Sequence, residues 1–321
     1  MITYKNYLRR VVCAALSLCL VLSCLALVGC GGDSRGDDGR LTIVTTIFPQ
    51  YDFVRAIGGD RVSVRMLLPP DTEAHGFEPT LEDLADINAC DAFIYVGGDS
   101  EHWVDDLLAS MNGTDIRTLA LIDTVTPLEV CAVGTHSDGH SHDHDHYIDE
   151  HIWTSPRNAV LIVAAICELM CELDPDNADF FRANADLYTA ELQSLDSQLS
   201  QLVGGAKRRT LVFAERFPFR YLAEDYGLTY YAAFEGCSSD TEPSLSTIAQ
   251  LTAVITDQSI PVVFYIEFSK QIVADTLSEA TGAKKLLLHS CHNLTSGQLA
   301  AGETYLSLMN RNIENLREAL Y

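Results

Sequence analysis

The chain has 321 residues, of which 47% are hydrophobic and 21% are charged, a composition that is typical of a globular protein and excludes a mostly disordered chain. This length accommodates one large domain or two ordinary ones. With 45 acidic residues against 21 Lys and Arg, the formal net charge is −24, which would repel a nucleic-acid backbone and suits a protein that meets cations.

The first thirty residues are predicted to be a processed signal rather than part of the fold. Basic residues within the first ten precede an uncharged apolar run, and the run ends at residues 27–30 (Leu-Val-Gly-Cys), the pattern of a lipoprotein cleavage site. We expect lipid on Cys30, a flexible polar tether over residues 31–40 and a location outside the cytoplasm. A signal anchor is the alternative, because about 19 apolar residues are nearly enough to span a bilayer.

Short apolar strands alternate with amphipathic helices in the region that follows. Strands are predicted at residues 41–48, 61–68, 92–96 and 116–122, and helices at 50–57, 81–87 and 102–111. Thr80 is the predicted N-cap of the second of these helices. Strands separated by helices of this length predict βαβ units and a parallel sheet.

A second series of the same kind begins at residue 210. Strands are predicted at residues 210–214, 229–234, 262–268 and 285–289, and helices at 219–226, 245–257, 271–280 and 304–320. The two series predict an α/β protein of two similar lobes with parallel sheets. We place the first lobe at residues 41–173 and the second at 206–321.

One long helical pattern, over residues 175–203, lies between the two series. An apolar stripe recurs along it at helical spacing: Tyr188, Leu192, Leu195, Leu199 and Leu202. At 1.5 Å per residue the helix would be about 43 Å long, enough to reach both lobes. We therefore expect a rigid interlobe helix over residues 174–205, with a ligand site in the cleft between the lobes and only limited closure of that cleft.

Residues 136–151 carry the clearest chemical pattern, with six His and five acidic residues in a stretch of sixteen. Imidazoles alternating with carboxylates provide many ligands for Zn²⁺ but no fixed geometry, which predicts weak and multiple metal binding. A solvated acidic loop is the alternative.

Three histidines are predicted at the ends of strands, where ligands bind in open α/β sheets. His75 follows the second predicted strand, His151 closes the His-rich loop, and His289 ends the last strand. A single histidine is often structural, but three at equivalent ends of two lobes predict an imidazole cage for a metal ion.

Export makes disulfides possible for the six cysteines that follow Cys30. Cys167 and Cys171 lie four apart in an apolar helix and are predicted to be buried. We predict a disulfide between Cys237 and Cys291, because both are expected at the ligand end of the second lobe. The alternatives are two reduced thiols, or Cys237 as a zinc ligand.

Four motifs in this order resemble the solute-binding lipoproteins of bacterial zinc and manganese ABC importers, known as cluster A-I. The motifs are residues 45–53 (TTIFPQYDF), 74–79 (AHGFEP), 149–158 (DEHIWTSPRN) and 174–178 (DPDNA). The second and third resemble the family's first and second ligand motifs, with the His-rich insertion that zinc members carry ahead of the latter. The resemblance covers nearly all of the mature chain.

The resemblance implies a ligand set that this chain matches only in part. Where the family usually places a third ligand in the second lobe, an ungapped alignment puts Arg216, which cannot bind a cation. Glu215 is the neighbouring acid, and His289 aligns with the family's final carboxylate. The expected ligands are therefore His75, His151, His289 and Glu215.

Other residues compete for the fourth position of this set. Glu267 is the rival carboxylate, although the family's Glu there is usually not a direct ligand, and His292 and Cys237 are further alternatives. Three imidazoles and one carboxylate favour Zn²⁺ over Mn²⁺, which prefers more oxygen ligands.

The resemblance also implies a function: a monomeric binding protein that captures Zn²⁺ and delivers it to the permease subunits of an ABC importer, with Mn²⁺ as the less favoured cargo. A surface metal buffer or adhesin is one alternative. A zinc hydrolase is a remote one, because the sequence has no His-Glu-x-x-His helix and no phosphate-binding glycine loop.

Overall fold

Each half of the chain builds a four-stranded parallel sheet. The computed structural model describes residues 39–74, 76–98, 101–111, 116–130, 147–234 and 243–321. The predicted signal and all but the last two residues of the tether, together with His75, Cys237 and most of the His-rich loop, lie outside these residues. None of the helices in the described part combines the length and apolar character that a membrane span requires.

The first lobe has the strand order β2-β1-β3-β4, with every neighbouring pair parallel. Its strands are β1 (Leu41–Thr45), β2 (Val62–Met66), β3 (Ala92–Tyr95) and β4 (Arg117–Ala120), and its helices are α1 (Phe48–Gly58), α2 (Leu81–Ala89) and α3 (His102–Ser110). A short antiparallel pair follows, β5 (Glu129–Val130) with β6 (Tyr147–Ile148), and then helix α4 (Pro156–Leu173).

The second lobe repeats the order of the first, as β8-β7-β9-β10, again with parallel neighbours. Its strands are β7 (Thr210–Phe213), β8 (Thr229–Ala232), β9 (Val262–Tyr265) and β10 (Lys284–Leu287). Helix α5 (Ala178–Gly204) joins the lobes, and the later helices are α6 (Arg220–Tyr226), α7 (Leu245–Asp257), α8 (Ile272–Thr281), α9 (Ser296–Ala300) and α10 (Tyr305–Leu320). The prediction of two similar α/β lobes is confirmed.

Most predicted elements are present, but several strands are shorter than the apolar runs that predicted them. The run 41–48 ends as a strand at Thr45, because Phe48 and Pro49 already form the first turn of α1. The run 116–122 gives four strand residues and then a 3-10 turn from Leu121. Thr80 caps α2 as expected, since its hydroxyl accepts from the backbone N–H of Asp83.

Helix α5 is the expected connection between the lobes. Its 27 residues extend about 40 Å, and a short 3-10 turn at Pro175–Asn177 precedes it. Its leucine stripe is buried, and the helix packs on α1 and α4 of the first lobe and on α10 of the second. The Tyr188 hydroxyl donates to the buried carboxylate of Asp52, which also accepts from the backbone N–H of Tyr305, 2.9 Å away. The helix is thus fixed to both lobes.

The leucine stripe of α5 gives a stability prediction with its own control. Leu195 is 1% exposed, and we expect Leu195→Ala to lower the free energy of unfolding by about 2–5 kcal/mol, because it removes buried methyl groups and leaves a cavity. Leu187 on the same helix is 70% exposed, so Leu187→Ala should change stability by less than about 0.5 kcal/mol. Urea denaturation of the two variants measures the difference, and equal losses would contradict the packing of α5.

The predicted disulfide between Cys237 and Cys291 is wrong for this structure. Cys291 is a free thiol, fully buried in the core, and its backbone is left-handed with φ 62°. The Cys291 side chain packs in the core rather than facing the ligand end of the lobe. Burial raises the pKa of this thiol well above its ordinary value. Cys167 and Cys171 are buried, as predicted.

Candidate metal centre

A small cavity of about 20 Å³ lies where the carboxyl ends of the two sheets face each other. Both lobes line it: Thr72, Glu73, Ala74 and His151 come from the first, and Arg216, Pro218, Ile266, Glu267, Phe268, Ser290, His292 and Asn293 from the second. In each lobe the strand order reverses beside the first strand, and ligands of open α/β sheets bind beyond the strand ends at such a point.

His151 enters the cavity from the turn before α4 and is only 4% exposed. Its Nδ1 lies 2.9 Å from Oδ1 of Asp149, and its backbone N–H donates to the same oxygen. This contact assigns the ring proton to Nδ1 and leaves Nε2 as the nitrogen suited to bind a metal ion. Burial alone would raise the pKa of Asp149, but the interactions with His151 and Arg220 outweigh it, so the pKa is lowered and Asp149 stays ionised.

His292 is the imidazole that the second lobe brings to His151. The two ring centroids are 5.0 Å apart, and the His292 ring also packs edge-on against Trp153, 4.7 Å away. The loop that carries His292 is held by Glu267, whose carboxylate accepts from the backbone N–H groups of Ser290 and His292 and from the Ser290 hydroxyl. Glu267 therefore orients this loop rather than offering an uncommitted carboxylate.

His289, the residue expected from the sequence, does not line this cavity. It is buried within the second lobe, where its Nδ1 accepts from the Cys291 N–H at 3.0 Å and its Nε2 lies 3.5 Å from the Gln298 amide nitrogen. Asn312 bonds both the N–H and the carbonyl of His289, each at 2.8 Å. These contacts give His289 a structural role in the turn after β10, and the structure brings His292 rather than His289 to His151.

Glu215 also stands apart from the two histidines. Its carboxylate accepts from the Ser269 hydroxyl, and it lines a neighbouring, more open cavity that contains neither His151 nor His292. Burial is the main reason that the pKa of Glu215 is raised, while the nearby Arg216 acts in the opposite direction.

His75 lies outside the described residues, but the residues before it border the site. Ala74 lines the cavity beside His151 and His292. The Asn293 amide donates to the carbonyls of Pro69 and Thr72, at 2.7 and 2.9 Å, and so ties the loop before His75 to the loop of His292. Among the described residues no group of three or more His, Cys, Asp or Glu could hold a metal ion.

Sequence reasoning named His292 only as a weaker alternative, because the predicted last strand ran to residue 289. The strand ends at Leu287, and the left-handed turn at Cys291 re-aims the chain so that His292 reaches the cavity. The left-handed backbone conformation of Cys291 cannot be predicted from the sequence. The one sequence signal for His292 was that it lies three residues after His289 in a predicted loop.

Comparison with known proteins agrees with this architecture. Residues 43–319 match the family described as ZnuA, zinc-uptake complex component A, periplasmic. The zinc-binding lipoprotein AdcA of Streptococcus pneumoniae (strain ATCC BAA-255 / R6) is 34% identical over 308 residues, which cover 94% of this chain and 60% of AdcA. The high-affinity zinc uptake system protein ZnuA of Bacillus subtilis (strain 168) is 31% identical over 324 residues, covering 94% of this chain and 97% of that protein.

Solved structures show the same fold. The Zn(II)-bound ZnuA-like domain of Streptococcus pneumoniae AdcA superposes with a TM-score of 0.73 at 32% identity, covering 88% of this chain and 99% of that domain. The metal-dependent lipoprotein YcdH from Bacillus subtilis superposes with a TM-score of 0.75 at 30% identity, covering 88% of this chain and 99% of YcdH. The chain therefore belongs to the family of periplasmic zinc-uptake component A proteins.

Proposed function

We propose that this protein captures Zn²⁺ outside the cytoplasm and delivers it to the permease of an ABC importer. The observation that carries the proposal is a single cavity in which His151 of one lobe and His292 of the other stand with ring centroids 5.0 Å apart. Imidazole nitrogens suit Zn²⁺ better than Mn²⁺, which prefers oxygen. The zinc-binding relatives and the Zn(II)-bound AdcA domain support the same cargo.

In this proposal His75, His151 and His292 bind the ion. His292 replaces His289 in the set expected from the sequence, because both ring nitrogens of His289 face other groups of the second lobe. Asp149 holds the His151 ring, and Glu267 holds the His292 loop. Three neutral imidazoles leave one position of a tetrahedral zinc ion for a further ligand.

Release of the ion should involve loops more than a hinge between the lobes. Helix α5 packs on both lobes, and the Trp153 indole N–H of the first lobe donates to the Ser290 carbonyl of the second at 2.8 Å. Such cross-lobe contacts resist a large rotation. The loops at residues 69–74 and 290–292 are the shorter elements whose movement would open the site.

The proposal includes an anchor at the membrane and a monomeric state. Lipid on Cys30 would hold the protein at the outer face of the cytoplasmic membrane, beside the permease. Catalysis is not part of the proposed role, since the ion is the cargo rather than a resident cofactor.

The His-rich loop is proposed to be auxiliary. It precedes His151, and its glycine and alternating charges do not fix the positions of its ligands. We therefore expect it to bind metal weakly and to exchange it quickly. Deleting residues 136–146 should leave one tight zinc site and remove the weak additional ones in isothermal titration. Loss of the tight site on deletion would show that the loop is part of the primary centre, as a metal buffer would require.

Metal analysis of the mature chain from residue 31 tests the proposal. Purified from medium containing equal Zn²⁺ and Mn²⁺ and dialysed, the protein should retain one tightly held zinc and no manganese. In cells, growth under zinc limitation should depend on this protein and on His151. Retention of manganese, or zinc-limited growth that does not depend on the protein, would refute the proposed cargo.

A further inference from the structure

A second cavity of about 250 Å³ opens beside the metal cavity and shares part of its wall. Both are lined by Glu73, Arg216, Ile266, Glu267 and Phe268. The second cavity adds Lys270 and is the more open of the two, so a small molecule in it would have one end at the metal cavity and the other toward solvent.

Arg216 lies on the shared wall. Within the described part of the chain, no hydrogen bond or ion pair engages its guanidinium group, although its charge reaches Glu215 and acts to lower the pKa of that carboxyl. A cation that borders a cation site would by itself oppose metal binding. The same group offers a planar fork of N–H donors that matches a carboxylate.

Three carboxylates line the outer cavity with Arg216: Glu73 comes from the first lobe, and Glu215 and Glu267 are already engaged by groups of the second lobe. Glu267 accepts from Ser290 and from the His292 N–H, and Glu215 accepts from the Ser269 hydroxyl. Lys270 adds a second cation to the outer cavity. Once a divalent ion is bound, the formal charges of the ion and of the residues that line the outer cavity add up to a positive net charge, which favours an anion there.

We infer that the protein holds Zn²⁺ together with a small chelating carboxylate, one oxygen of which completes the coordination of the ion while a carboxylate group pairs with Arg216. The inference rests on the proposed zinc capture and names the form in which the metal is bound. It accounts for an arginine at the position where a metal ligand was expected, since the fourth ligand then comes from the bound anion.

Native mass spectrometry of the detergent-solubilised full-length protein tests the inference. The protein is loaded with Zn²⁺ alone, with Zn²⁺ and citrate, with Zn²⁺ and L-histidine, or with Zn²⁺ and acetate, which does not chelate. We expect a complex of one zinc with one chelating acid, from citrate or L-histidine, and none with acetate. The citrate and L-histidine arms distinguish a hydroxy acid from an amino acid.

Variants then locate the anion. Arg216→Gln should lose the co-bound acid and should weaken zinc affinity in citrate buffer at least tenfold, after correction for zinc held by citrate. Arg216→Lys keeps the positive charge but not the planar set of N–H donors, so its zinc affinity in citrate buffer should lie between those of the wild type and Arg216→Gln. It also keeps the test valid if the glutamine variant misfolds. Arg317→Gln, an exposed arginine on α10, is the matched control and should behave as the wild type.

The outcomes separate this inference from the proposed function. If the wild type binds zinc but holds no acid in the citrate and L-histidine samples, the inference is overturned and zinc capture is left intact. Equal retention of the acid by Arg216→Gln also overturns it. Failure of the wild type to bind zinc under any condition contradicts the proposed function itself.

Discussion

Replacing His292 by Ala should weaken Zn²⁺ binding by at least tenfold, about 1.4 kcal/mol, whereas the same change at His289 should leave affinity within about threefold. The reason is position, since the His292 ring faces His151 in the shared cavity and His289 bonds within its own lobe. Isothermal titration of both variants, under conditions where the free metal is buffered, measures the contrast.

The His289 variant is also the control for folding in this comparison. His289→Ala removes the hydrogen bond from the Cys291 N–H and the contact with the Gln298 amide, so it should lower the melting temperature. The metal ligand His292 is still present in this variant. A large loss of affinity in His289→Ala together with little change in His292→Ala would return the ligand role to His289, as the sequence suggested.

Replacing Asp149 by Asn should weaken zinc binding about 10- to 100-fold, because partners that orient a metal-binding histidine affect affinity to this extent. The Asp149 carboxylate is 5% exposed, lies 2.9 Å from His151 Nδ1 and is 3.5 Å from the Arg220 guanidinium. Asparagine keeps the shape but removes the charge that fixes the ring proton on Nδ1. Titration calorimetry checks the affinity, and circular dichroism checks that the variant is folded.

Asp196→Asn provides the matched control for Asp149. Asp196 also accepts from an arginine, at 2.8 Å from Arg157, and from the Tyr226 hydroxyl, but it lies on the interlobe helix away from the cavity. Its replacement should reduce stability and leave zinc affinity unchanged. If both variants lost affinity equally, Asp149 would act through general stability rather than through His151.

The fold was readable from the sequence because its signals are local and periodic. Apolar runs bounded by Gly, Pro and capping residues predicted all eight strands of the two sheets, and the stripe from Leu192 to Leu202 predicted the interlobe helix. Strand ends were less accurate, since an apolar run does not reveal where hydrogen bonding to a neighbouring strand stops, as at Thr45 and Leu287.

The site was only partly readable for a different reason. His151 lines the cavity from the turn before α4, and its motif was the signal that placed it there. The choice between His289 and His292 depended on one left-handed residue, Cys291, and on the way Glu267 holds the following loop. These are tertiary contacts between distant parts of the chain, and no local pattern encodes them.

The central claim is that one zinc ion binds between His151 and His292. A crystal structure of the zinc-loaded mature chain, with anomalous data collected at the zinc edge, tests it directly. The account predicts one strong anomalous peak in the cavity between the lobes, about 2.0–2.1 Å from a nitrogen of each of these two rings. A sole peak at His289, or one confined to the His-rich loop with the cavity empty, would contradict it.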